Sequence, residues 1–139
     1  MSPTAFVVAA YIAWTLMLII AIEAVRTLAV LRQGRAANTF LPDGTDISPF
    51  AHRLSRAHAN CYESFPLVVG PLLLALAIDH PSLTDPLAPW LLAARIGQSC
   101  VHLASISLPA VQLRFALFAV QLGLVAWMLA RLIPGGFAS

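Results

Sequence analysis

The sequence predicts an all-α fold, an integral membrane four-helix bundle, and three observations carry that prediction. The 139 residues are 60% hydrophobic and 10% charged, with a mean hydropathy of +0.84, whereas a soluble domain carries about a quarter charged residues. Four apolar segments each come close to the roughly 20 helical residues needed to cross a hydrocarbon core about 30 Å thick. Helices also satisfy their own backbone in lipid, which open strands do not. With no internal repeat and no low-complexity tract, residues 1–139 read as a single four-span domain.

The first apolar segment runs from Thr4 to about Ile22 and is expected to continue as helix through Glu23 and Arg26 toward Arg35. No positively charged region of a signal peptide precedes it, so it is expected to be a permanent span. The second covers about Ser64 to Ile78 and is entered by polar helical turns from Phe50 to Glu63. The third runs from about Leu87 to Leu108, interrupted by Arg95, Gln98 and His102. The fourth runs from about Phe115 to Ile133. Gly34 to Pro49 is the longest connection, with Pro42-Asp43-Gly44 as a turn signal. Asp79-His80-Pro81-Ser82 with Pro86 forms a tight second turn, and Ser105 to Gln112, around Pro109, forms the third. Trp14, Trp90 and Trp127 read as interface anchors or lipid-facing bulk.

A net charge of +2 is too small to suggest nucleic acid binding. All eight basic residues are arginine, which fits either a GC-rich genome or a need for a base that stays ionised when partly desolvated. Arg26, Arg32, Arg35, Arg53 and Arg56 flank the first connection, and Arg114 flanks the third. Positive-inside counting then puts both connections in the cytoplasm and both termini outside, as in a bacterial inner membrane protein. Cys61 and Cys100 form no redox or metal spacing and read as small buried apolar residues. His52 and His80 read as exposed loop residues. No spacing resembles a zinc site, so no metal is expected. Nucleophile elbow, P-loop and dinucleotide fingerprint are absent.

Charge inside the greasy segments is the informative feature. A charged side chain at a helix centre costs roughly 2.5–3.5 kcal/mol on insertion scales. Arg53, Arg56, Asn60 and Glu63 are spaced i, i+3, i+7 and i+10, which sets them on one helix face within a sector of about 80°. Arg95, Gln98 and His102 repeat the first three spacings on the third segment. The structural reading is that Glu63 neutralises an arginine and locks two helices. The functional reading starts from the imbalance: Arg32, Arg53, Arg56, Arg95 and Arg114 face only Glu23 and Glu63 within the spans and their ends. An excess of buried positive charge calls for an anion from elsewhere, and a ligand with carboxylates and one amine fits. His58 points away from the Arg56–Asn60–Glu63 sector.

The stretch Arg-Ala-His-Ala-Asn-Cys-Tyr-Glu-Ser-Phe-Pro, residues 56–66, strongly resembles the second-helix signature of the membrane-associated proteins in eicosanoid and glutathione metabolism (MAPEG). That family includes microsomal glutathione transferases and leukotriene C4 synthase. The resemblance covers nearly the whole chain: four spans, a long first loop and Arg95 on the third helix. It implies a homotrimer of four-helix bundles in the lipid bilayer, with glutathione bound between subunits at the cytoplasmic half of the membrane. By the same resemblance Arg56, Asn60 and Glu63 match glutathione contacts on the second helix, Arg95 the third-helix arginine and Arg32 the first-helix arginine. His58 occupies a position that touches the peptide in some relatives. Arg114 matches the fourth-helix arginine that stabilises the thiolate, and is the expected catalytic residue. Two positions depart from the pattern: His102 stands where relatives carry a glutathione-contacting tyrosine, and Gln98 replaces an aromatic or histidine. Imidazole can donate a hydrogen bond as a phenol can.

The expected function is a glutathione-dependent transferase, with possible peroxidase action, on hydrophobic small molecules. The alternative is a non-catalytic protein of the same fold that binds glutathione or an anionic lipid, or scaffolds. A small transporter is the weaker third reading, since inverted repeats and broken central helices are not evident.

Overall fold

A computed structural model describes residues 1–135. They form five α-helices and one short 3-10 turn, with no strand among the described residues: α1 (Pro3–Gln33), α2 (Pro49–Glu63), α3 (Phe65–Ala77), a 3-10 turn (Pro81–Leu83), α4 (Ala88–Ala104) and α5 (Leu108–Gly135). Helices α1 and α5 are each long and apolar enough to cross a membrane, and α2 with α3 makes a third span bent by about 40°. Helix α4, of 17 residues, completes a bundle of four spans.

Two boundaries differ from the sequence reading, and proline explains both. The second span is broken at Ser64, because Pro66 lacks the N–H that would bond Tyr62 and its ring crowds that carbonyl. The fourth span starts at Leu108 rather than Phe115, so the third connection is only residues 105–107. Pro109 sits in the first helical turn, where no N–H is needed and its fixed φ suits the helix. The third span is correspondingly shorter than expected and ends at Ala104.

The break sets the packing. Helix α2 lies against α1 and α4, while α3 lies against α1 and α5. One apolar core joins Val7, Tyr11, Val69, Leu72, Leu91 and Met128. A smaller one joins Leu18, Ile22, Leu54 and Cys61. Large apolar side chains cover the outside, among them Ile20, Leu31, Trp90 and Phe115. Outward-facing apolar residues are the pattern of a chain surrounded by lipid. Trp90 and Trp127 are exposed as expected, whereas Trp14 is half-buried. Cys61 is buried as expected; Cys100 is exposed, on the outer face of α4.

Both ends of α1 are tied down. At its start Thr4 donates from its backbone N–H (2.9 Å) and its hydroxyl (2.6 Å) to the Asp85 carboxylate, beside the buried Thr84 hydroxyl. After its end the 34–48 loop is stapled by Arg35, which bonds the Asp46 carboxylate and, at 2.8 Å, the Asp46 carbonyl, and stacks on Phe40. Gly44 has φ +71° and is buried against α2: a Cβ there would meet the Ala51 backbone at 2.9 Å.

Cutting the break's hydrogen bond from Tyr11 to the Cys61 carbonyl with Tyr11→Phe should lower stability in detergent by about 1 kcal/mol, read as a lower unfolding midpoint with helix content unchanged. The loop staple is pH-sensitive. Partial desolvation pushes the Asp46 carboxyl up, but the Arg35 hydrogen bond, with the backbone N–H groups of Leu41 and Asp46, offsets it and holds the group below its ordinary value. A depressed carboxyl stabilises the fold above its unfolded pKa and ceases to do so as pH falls through the folded one. Protection of the 34–48 amides, corrected for the slower intrinsic exchange at low pH, should therefore fall on acidification below the ordinary aspartate range, and Asp46→Asn should show that lower protection already at neutral pH.

Candidate functional site

In lipid a broken helix must find new partners for its freed carbonyls. Here the partners are side chains. The Tyr11 hydroxyl donates to Cys61 O at 2.8 Å, the Ser64 hydroxyl donates to Asn60 O, and Arg95 Nη1 reaches Asn60 O at 3.4 Å. Arg95 also donates to the Asn60 side-chain oxygen and lies 5.8 Å from the centre of the Tyr11 ring. It is fully buried, and its Nε and Nη2 atoms have no partner. Beside it Ser99 approaches Cys61 at 3.4 Å. Gln98 accepts a 3.0 Å hydrogen bond from Gln121 on α5. A polar seam thus runs through the interior from α2 across α4 to α5.

At the arginine-rich end of the bundle lies a cavity of about 230 Å³ lined by His52, Arg53, Arg56, His102, Ile106 and Arg114. Helix α2 supplies the first three because Ser48 caps it and Pro49 starts it, bringing His52 into its first turn. His52 donates from Nδ1 to the Asp43 carbonyl at 2.9 Å and is half-buried, so it is not the exposed loop residue the sequence suggested. Arg53 bridges to α4 through Nε and Leu103 O, 2.8 Å. His102 stands in the last turn of α4, with Nδ1 buried and unpartnered. Arg114, in the second turn of α5, completes the ring. The early start of α5 is what brings Arg114 here: the long chain distance from His102 is taken up as helix, not as loop. Among the described residues no carboxylate lines this cavity.

The expected site residues divide into three groups. Arg56, His102 and Arg114 meet at the cavity. Asn60, Arg95 and Gln98 lie deeper, bonded within the bundle. Arg32 and His58 lie elsewhere: Arg32 is exposed in the last turn of α1, and His58 faces a groove of about 390 Å³ with Ile12, Thr15, Leu16, Tyr62 and Phe65. Glu63 is exposed at the end of α2 and forms no ion pair among the described residues, so the structural reading in which it neutralises an arginine does not hold within one chain. Two contributors were missed. Arg53 was seen in the stripe but not assigned to the site, although its spacing from Arg56 was the available signal. Gln121 gave none beyond being a lone amide in an apolar run.

Removing the side-chain oxygen that Arg95 holds should be costly, because another buried donor loses its partner. Asn60→Ala is expected to destabilise the bundle by about 1.5–3 kcal/mol, measured as the shift of the unfolding midpoint in micelles. Asn60→Asp, which keeps an acceptor, should be milder.

No curated protein and no solved structure matches the chain. The family model described as MAPEG family matches residues 4–133, which spans all four crossings and every residue of the cavity. With its helices, its bent second span and that match taken together, this multi-pass membrane protein belongs to the MAPEG family.

Proposed function

We propose that the chain is a glutathione-dependent membrane transferase, joining glutathione to hydrophobic electrophiles or reducing them with it, with the basic cavity around Arg114 as its active site. The observation that carries this reading is the convergence of three arginines and two histidines on a cavity that no described carboxylate lines. Such a cavity favours an anionic guest, and family membership supports glutathione as that guest.

The roles follow from charge. Arg53 and Arg56 take the peptide's carboxylates through charge-assisted hydrogen bonds. Glu63, exposed and without a cationic partner, takes its ammonium. Arg114 faces the sulfur. A free thiol has a pKa of about 8.5, and an adjacent guanidinium lowers it by favouring the thiolate. The thiolate attacks an electrophilic carbon delivered through the bilayer; the S–C bond forms, and the displaced group or opened ring oxygen carries off the electron pair and takes up a proton. Arg95 is fully buried and contributes by holding the Asn60 side-chain oxygen rather than by meeting the guest. Arg32 and His58 turn away from this cavity, so as glutathione ligands they act on the peptide held by a neighbouring copy. That is where a homotrimer enters the proposal. The arginine-rich end is assigned to the cytoplasm by the positive-inside rule.

The test uses the full chain in detergent with glutathione near neutral pH. The parent should show ultraviolet thiolate absorbance on adding glutathione. Arg114→Ala should lose that signal and lower conjugation of a model electrophile by roughly 10²–10³-fold. Glu63→Gln should weaken glutathione binding by roughly tenfold or more while leaving the thiolate signal at saturation. Tight binding by the parent without any thiolate would instead identify a non-catalytic binder, and parent-like behaviour of both variants would remove the assigned site.

A further inference from the structure

Making a thiolate leaves a proton to be disposed of, and the arginines of the basic cavity cannot take it. A guanidinium has donors only and stays protonated in proteins. No described carboxylate lines the cavity, so the side chains there that can accept a proton are the imidazoles of His52 and His102. The two are held differently. His102 has its Nδ1 buried without a partner, and nothing among the described residues fixes its tautomer. His52 is fixed by the loop between α1 and α2.

The loop does this through its backbone. The Asp43 carbonyl lies 2.9 Å from His52 Nδ1, and a carbonyl oxygen only accepts, so Nδ1 carries the hydrogen. In the neutral ring Nε2 then holds the lone pair. That nitrogen makes no hydrogen bond among the described residues. The turn that follows keeps the carbonyl in place: Gly44 packs on the backbone of Ala51, the residue before His52. The Asp43 carboxylate accepts from the Thr45 N–H at 3.2 Å and the Thr45 hydroxyl at 2.8 Å. Those hydrogen bonds hold its carboxyl below the ordinary value, and the nearby His52 adds to the effect. The attraction is mutual, so this carboxylate favours an imidazolium at His52. One ring nitrogen is tied to a carbonyl, the other is free, and an anion stands behind. That is the arrangement of a general base.

We propose that His52 is the general base of the transferase reaction, an inference that rests on the active-site reading above. The thiol proton of glutathione passes to His52 Nε2, directly or through one water, and the electron pair stays on sulfur beside Arg114. Sulfur then bonds the electrophilic carbon. The bond from that carbon to the displaced group, or to the ring oxygen, breaks with its electron pair leaving on that group. The imidazolium returns the proton there, and His52 ends neutral. Arg114 governs how much thiolate forms; His52 governs how fast.

The experiment is stopped-flow ultraviolet absorbance of the full chain in detergent, mixed with saturating glutathione in weak buffer near neutral pH. His52→Ala should form thiolate about 10²-fold more slowly and reach the parent's final amplitude. Added imidazole should restore its rate in proportion to the concentration supplied. His52→Asn keeps a donor for the Asp43 carbonyl but has no base. It should be as slow as His52→Ala, while hydrogen-exchange protection of residues 34–48 stays at the parent level. A parent-like rate in either variant would overturn the proposal. So would a slow His52→Ala that imidazole does not speed, which would make His52 a structural residue. Imidazole rescue of His102→Ala, but not of His52→Ala, would hand the role to His102 and also overturn it. Absence of thiolate in the parent would remove the transferase reading and this proposal together. A parent thiolate with an unrescued His52→Ala would remove this proposal alone.

Discussion

Backbone satisfaction in a medium without water governs this structure. The second span cannot run straight past Pro66, and a broken helix in hydrocarbon exposes carbonyls that lipid cannot solvate. The chain answers with Tyr11, Ser64 and Arg95 turned onto the carbonyls of residues 60 and 61. Those anchors join three spans at one level. They also explain why a guanidinium can be fully enclosed: it is held by the amide oxygen and backbone of Asn60, and the Tyr11 ring lies beside it. The bend then directs the lower half of the span to α5 and leaves the upper half beside α4. The basic cavity opens between that upper half, the end of α4 and the start of α5.

The arginines thus serve two purposes. Arg95 is enclosed and part of the framework. Arg53, Arg56 and Arg114 border open space, where their like charges repel one another. The same helix face carries both kinds of neighbour because α2 rises along it from the cavity to the break. Glu63, at the far end of that face, looks outward and is exposed.

Much of the architecture was legible in the sequence, and the failures have identifiable causes. Helix type and span number followed from apolar length, which hardly depends on tertiary contacts. The span limits did not, because proline both ends and begins helices: Pro66 broke a span read as continuous, and Pro109 began one where a loop was expected. The stripe of Arg53, Arg56, Asn60 and Glu63 was correctly a shared face, but periodicity gives no information on which neighbour each residue meets. Asn60 turned inward to Arg95, while Glu63 remained outside. The partner of Gln98 lay in Gln121, twenty-three positions away, and only the packing of α4 on α5 could reveal it. The resemblance in residues 56–66 named the family that the whole-chain match then established.

The conformation of Gly44 has a practical bearing on labelling. Its left-handed backbone and the contact distance to Ala51 leave no room for any side chain, and the helix it abuts is the one that brings His52, Arg53 and Arg56 to the cavity. A reporter dye or epitope spliced at that glycine would wedge the loop off the helix and disturb the cavity from outside the membrane. Four residues into the same loop, around Ala37 and Asn38, the backbone is exposed on its outer side, which makes that the better attachment point for work on the cavity.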